Sequence, residues 1–153
     1  MPVKKLKYFL DYNKTKYISI SHSPAFTAQE IAASAHISGS QFAKTVIVKL
    51  DGKMCMAVLP GVKNIDLKQL KSAHNAYEIE LATEKEFKNL FPECEIGAMP
   101  PFGNLYNLQV YVDESLANEK EILFNAGTHT ELISMSYQDF IKLAKPKILK
   151  FVA

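Results

Sequence analysis

Arginine is absent from this chain; all eighteen basic residues are lysine. Any phosphate it meets is therefore held by ammonium point charges and backbone N–H groups, not by bidentate guanidinium forks. Cysteine is nearly absent as well. Cys55 and Cys94 are too few for a disulfide scaffold, and the expected compartment is a reducing cytoplasm. No apolar run approaches the roughly 18–20 residues that cross a bilayer, and residues 1–20 lack the apolar segment of a secretion signal, so no membrane partner is expected. Internal repeats, low-complexity tracts and Gly/Ser linkers are missing. So are CxxC, HExxH and His-x-His spacings, a GxSxG elbow, a phosphate-binding P-loop and a GxGxxG turn. Cys55 falls inside an expected strand, and Cys94 sits in Pro-Glu-Cys-Glu, an acidic setting that raises a thiol pKa. Metal-dependent hydrolysis and the familiar covalent hydrolases are thereby disfavoured, and no metal or cofactor is expected.

What remains is an ordinary globular composition: 153 residues, 48% hydrophobic and 22% charged, read as a single domain over 1–153. The net charge of +2 conceals an asymmetry. Residues 1–75 carry 11 Lys against 4 Asp/Glu, and residues 76–153 carry 7 against 12. A basic first half hints at a polyanionic partner, with a merely solvated lysine surface as the equal alternative.

Periodicity predicts a helix over 3–14, a strand over 17–21, and a capping box at Thr27–Glu30 opening a helix to about His36. A hairpin over 43–59 turns at Asp51-Gly52. A short helix over 66–74, a strand over 78–81 and a second capping box at Thr83–Glu86 follow, and that helix must stop before Pro92. Strands at 108–112, 122–125 and 131–135 precede a last helix capped by Ser136 and ending before Pro146. This order is not strict βαβ alternation. It predicts an α+β fold with one mixed, mostly antiparallel sheet and helices packed on it.

Four segments stand out. His22-Ser-Pro lies between a strand and a capped helix. Lys44 opens an otherwise apolar strand, where a lysine is either an edge charge or an amine aimed into a site. Gly97-Ala-Met-Pro-Pro-Phe-Gly103 cannot be regular structure, since two prolines remove donors while the glycines permit tight turns; it reads either as a stiff connector or as a ligand loop. Asn125-Ala-Gly-Thr-His129-Thr-Glu131 joins two strands around a polar cluster, in which His129 is either a surface hydrogen-bonder or part of a site.

Taken together and in this order, His22–Glu30, Phe42-Ala-Lys44-Thr-Val, Gly97–Gly103 and Phe124–Glu131 resemble the YbaK/prolyl-tRNA synthetase-associated editing domain family over about residues 15–145. The resemblance implies a mixed α/β fold, no metal, and a free-standing deacylase that hydrolyses the ester of mischarged tRNA. Lys44 matches the family's essential lysine, Gly97, Ala98, Met99, Pro100 and Pro101 its GxxxP loop, and Gly127, Thr128 and His129 the Gly-x-His segment of its amino-acid pocket. The loop is most similar to members that act on Ala-tRNA(Pro), with Cys- or Ser-charged tRNA as alternatives. Aminoacylated tRNA is the implied partner, with prolyl-tRNA synthetase as a second. The competing reading is a non-catalytic RNA-binding or synthetase-interacting module.

For the implied reaction, the loop amides are candidates for stabilising the oxyanion and Lys44 for anchoring the terminal nucleotide. To act as a base, the Lys44 amine would first have to lose its charge. His22 and His129 border the expected pocket, and Ile20, Phe26 and Ile31 are candidate walls that exclude a larger side chain. Lys4, Lys7 and Lys14 of the first helix are candidate tRNA phosphate contacts.

Overall fold

Val3, Leu6 and Leu10 recur at helical spacing and are all buried, which fixes the first helix (α1, Lys4–Tyr12) against the rest of the chain. The fold is described for residues 3–23, 30 and 39–153 of a computed structural model. The capping box expected at Thr27 and the helix it opens lie, apart from helical Glu30, outside the described residues.

After α1 come β1 (Tyr17–Ser21), the hairpin β2 (Ala43–Leu50) and β3 (Lys53–Pro60), α2 (Leu67–His74), β4 (Ile79–Leu81) and α3 (Glu84–Phe87). Then follow β5 (Gln109–Asp113), β6 (Glu121–Asn125), β7 (Glu131–Ser136), α4 (Tyr137–Ala144) and β8 (Lys147–Leu149). Local chemistry sets many of these limits. Asp51 (φ 52°) and Gly52 (φ 80°) take the left-handed conformations that a tight hairpin requires. Thr83 and Glu86 complete a capping box, while Asp66 and Ser136 accept from the amides of Gln69 and Asp139.

The α+β class holds, but the strands form two sheets where one was expected. One is antiparallel, in the order β1-β7-β6; the other is mixed, in the order β4-β2-β3-β5-β8, with β3-β5 and β5-β8 parallel. Among the described residues one parallel bridge, Phe42 to Leu123, joins them where β2 begins, on the edge of β2 that pairs with β4 further along. The strand β8 was not anticipated. It is tied in by Asp113, whose fully buried carboxylate accepts from the Phe151 amide at 2.8 Å and from the backbone N–H and hydroxyl of Ser115.

One face of this joined surface carries the larger core. Ala43, Ile47, Met56, Val58, Val110, Val112, Ile122, Phe124, Ile133 and Met135 turn the same way and meet α1, α4 and Phe102. Phe102 sits among Phe9, Phe124 and Phe140 at ring-centroid distances of 5.9, 5.8 and 5.5 Å. Part of the other face carries a smaller core of Val48, Leu50, Cys55, Ala57, Leu59 and Tyr111 under Leu70 of α2 and Phe151. Among the described residues, no helix is long and apolar enough to cross a membrane.

Candidate active site

Strand register places several of the expected residues relative to one another. Ile20 pairs with Leu132, and Leu132 pairs with Asn125. Counting two residues on along both strands from the Phe42–Leu123 bridge puts Lys44 abreast of Asn125, and Lys44 itself pairs with Leu59. Directly paired residues share a sheet face. Ile20, Leu132 and Asn125 form one row across the antiparallel sheet, Lys44 and Leu59 pair in the mixed sheet, and extending the register of the bridge sets the two groups side by side on the face opposite the larger core. Lys44 is half-buried and, among the described residues, makes no ion pair. Asn125 and Leu132 were not singled out from sequence; the pairing that aligns them joins segments far apart in the chain.

The strand β6 leaves this row directly into Ala126-Gly127-Thr128-His129, which is stitched to the proline loop. Gly127 N–H donates to Ala98 O at 2.9 Å, Glu95 N–H donates to Gly127 O at 2.8 Å, and the Glu95 carboxylate accepts from the His129 amide at 3.2 Å. His129 Nε2 lies 2.8 Å from Ile96 O. A carbonyl only accepts, so Nε2 carries the proton and Nδ1 is left without a partner among the described residues. Gly127 is required twice over. Its φ is +94°, and a Cβ there would lie 2.3 Å from Val3 Cγ1, while the Val3 amide donates to Ala126 O at 3.0 Å. Gly97, at φ +86°, would bring a Cβ to 3.4 Å from the His129 ring, so its demand is chiefly conformational.

Within Gly97–Pro101 the donors are few. Pro100 and Pro101 are buried and have no N–H, and Ala98 N–H is taken by Glu95 O at 3.1 Å. The Gly97 and Met99 amides have no acceptor among the described residues. Of the loop amides considered from sequence, these two are left to a ligand. Met99 and Phe102 anchor the loop in the larger core.

His22 continues the alternation of Ile20, and its amide donates to Thr130 O at 2.9 Å. Its Nδ1–H donates to Ser23 O at 3.0 Å, so Nε2 is an acceptor, and that atom is buried without a partner among the described residues. Beside it, Glu131 is buried and accepts from Ser21 Oγ at 2.9 Å. Burial works against its charge, but hydrogen bonding, that from Ser21 included, outweighs it and holds the carboxyl below its ordinary range.

Phe26 and Ile31 lie outside the described residues. Lys4 is exposed at the start of α1, Lys7 is tied to Asp11 at 2.8 Å, and Lys14 is exposed just past the helix end. Neither thiol is activated: burial is the main cause that raises both Cys55 and Cys94, with Glu93 adding a smaller push at Cys94. Among the described residues, no group of three or more His, Cys, Asp or Glu is arranged to hold a metal ion.

Residues 22–143 match the family model described as the aminoacyl-tRNA editing domain. The chain is 26% identical over 137 residues to the multifunctional Ser/Thr-tRNA deacylase ProXp-y of Escherichia coli, covering 86% of this chain and 81% of that protein. It is 29% identical over 89 residues to a proline–tRNA ligase of Bacillus cytotoxicus, covering 58% of this chain but only 16% of the ligase. The crystal structure of a candidate trans-editing enzyme for prolyl-tRNA synthetase superposes with a TM-score of 0.83 at 20% identity, over 98% of this chain and 96% of that one, and shows the fold in common. The chain belongs to the aminoacyl-tRNA editing domain family, the ester hydrolases that remove amino acids from tRNA.

Proposed function

We propose that this protein removes alanine from mischarged tRNA for proline, acting in trans behind prolyl-tRNA synthetase, with Lys44, Asn125, the Gly97–Pro101 loop and His129 around the ester. The observation that carries the proposal is the register row: Lys44 falls abreast of the strand end that leads directly into the segment stitched to the proline loop.

An aminoacyl ester is already activated, so no covalent nucleophile is needed. Water adds to the acyl carbon, and the carbonyl oxygen takes up negative charge, which the unengaged Gly97 and Met99 amides stabilise. The C–O bond to the ribose then breaks, the ribose oxygen takes one proton of the attacking water, and the amino acid leaves as its carboxylate while the second proton passes to solvent. Lys44 holds the terminal ribose or the adjoining phosphate by charge-assisted hydrogen bonds and so fixes the ester against the loop. His129 is committed through Nε2 to Ile96 and serves as a wall with an accepting Nδ1.

Selectivity rests on size. Ile20 and His22 narrow the row so that a methyl side chain enters and a pyrrolidine ring does not, the second sieve of editing. A second reading, removal of serine or threonine, is favoured by the E. coli deacylase that spans most of the chain and by the buried acceptor His22 Nε2, a natural partner for a substrate hydroxyl. Release of free amino acid from alanyl-, seryl-, threonyl-, cysteinyl- and prolyl-tRNA tests both. Fastest cleavage of the alanyl ester with prolyl-tRNA spared supports the first reading, and preference for the seryl or threonyl ester replaces it with the second. Binding without release of any amino acid contradicts both.

A further inference from the structure

Away from the active-site row, two adjoining clefts of about 630 and 270 Å3 share Asn13, Lys142 and Leu143, where the C-terminal ends of α1 and α4 come together. Lys145 lines the larger cleft, and Lys14 and Lys16 line the smaller. All four lysines are exposed, and among the described residues none has a carboxylate within ion-pair distance, although Asp139 also lines the smaller cleft. Lys7 on the same helix, by contrast, is engaged by Asp11.

Backbone conformation sets two of these lysines apart. Five non-glycine residues among those described have positive φ: Asp51, Asn75 and Asn107, together with Lys14 at 54° and Lys145 at 48°. Asp and Asn tolerate the left-handed region, whereas a lysine there gives up roughly 1–2 kcal/mol. Both lysines follow a helix end, where glycine would be the easier residue. In α4 the helix dipole is already met by Lys142 in the last turn, whereas α1 has no basic residue in its last turn and Lys14 is the cation that follows its end. That two strained lysines border the same pair of clefts points to a use for the side chains at that spot.

We infer that this lysine-lined groove holds the sugar–phosphate backbone of the tRNA whose ester occupies the active site. The inference rests on the deacylase reading for the identity of the polyanion. Helix α1 links the two places. Its N-terminal end abuts Ala126 and Gly127 through Val3, and its C-terminal end carries Asn13 and Lys14. Nine helical residues span about 13 Å from the Ala126–Gly127 end to the groove, so a strand of a few nucleotides reaches the groove by rounding the sheet edge from the row on the opposite face. On the exposed side of α1, Tyr8 and Tyr12 stack with centroids 6.2 Å apart and present ring faces of the kind on which unpaired bases lie.

Fluorescence anisotropy with uncharged tRNA for proline, titrated across a range of salt concentrations, tests the groove without requiring hydrolysis. Each phosphate contact contributes about 0.7–0.9 to the slope of log affinity against log salt. The combined Lys14→Gln, Lys16→Gln, Lys142→Gln, Lys145→Gln variant is expected to flatten that slope by about 3 and to weaken low-salt binding by at least about tenfold. The Lys68→Gln, Lys71→Gln pair, whose lysines border a separate cleft, keeps the wild-type slope. A wild-type slope in the fourfold variant, or an equal loss in the Lys68/Lys71 pair, overturns the inference. Because the readout is binding, a failure of the deacylase reading shows separately, as wild-type protein that binds tRNA but releases no amino acid.

Discussion

The two faces of the joined sheet surface do different work. One carries the larger core over its middle, with aromatic rings from three segments meeting around Phe102. The other is divided between a small core under α2 and a row that includes a lysine, an asparagine and, two residues beyond Ile20, a histidine with a buried nitrogen that has no partner among the described residues. Continuous packing supplies stability, and chemistry is located where the packing is interrupted by polar groups. The proline loop combines both characters: Met99 and Phe102 are held in the larger core, while the Gly97 and Met99 amides have no acceptor among the described residues.

Truncation on the filled face should have the largest effect. Phe102→Ala is expected to cost about 3–5 kcal/mol in stability, read by denaturant unfolding, because the cavity cannot close among three other rings. A loss below about 1 kcal/mol would mean that the loop is not anchored in that core. Gly97→Ala retains the space but strains the backbone at φ +86°, so it should cost about 1–2 kcal/mol and slow deacylation more than it lowers stability. On the divided face, Ile20→Ala should leave stability nearly intact and open the pocket, raising cleavage of prolyl-tRNA relative to the small-side-chain ester by roughly 10–100-fold. An unchanged ratio removes Ile20 from the wall.

The smallest effect is electrostatic and lies outside both cores. Lys49 joins β2 to Glu80 and to Glu86 of α3. Hydrogen bonding from Lys49, and then from Thr83, holds the Glu86 carboxyl at about 2 against an ordinary 4.5. A folded-state pKa below the unfolded one means that the contribution is complete above about pH 4.5 and is lost as pH falls toward 2. Thermal melting across that window should fall more steeply for the wild type than for Glu86→Gln; parallel curves would show the ion pair to be inert.

Much of this contrast was legible in the sequence where short-range chemistry decides. The Asp51-Gly52 turn, the Thr83–Glu86 capping box and the Ser136 cap bound their elements as read, because each is closed by atoms a few residues apart. The segments carrying Lys44, Gly97 and His129 were recognisable as unusual from local composition, a lysine in an apolar strand and glycines, prolines and polar residues between strands. The division into two sheets was not legible, nor was β8, which follows Pro146 and pairs in parallel with a strand more than thirty residues earlier. Asn125 and Leu132 joined the site only through register: two antiparallel ladders and one bridge determine which residues share the row with Lys44. The donor count of the loop also needed coordinates, since Ala98 N–H is spent on Glu95 while its neighbours are not.

The central claim is that Lys44 and the stitched loops act on one ester. Single-turnover hydrolysis of Ala-tRNA(Pro) by Lys44→Ala, with its melting curve matched to the wild type, tests it most directly. The account predicts a rate lowered by about 100-fold or more with the fold retained, and wild-type hydrolysis by the folded variant would contradict it.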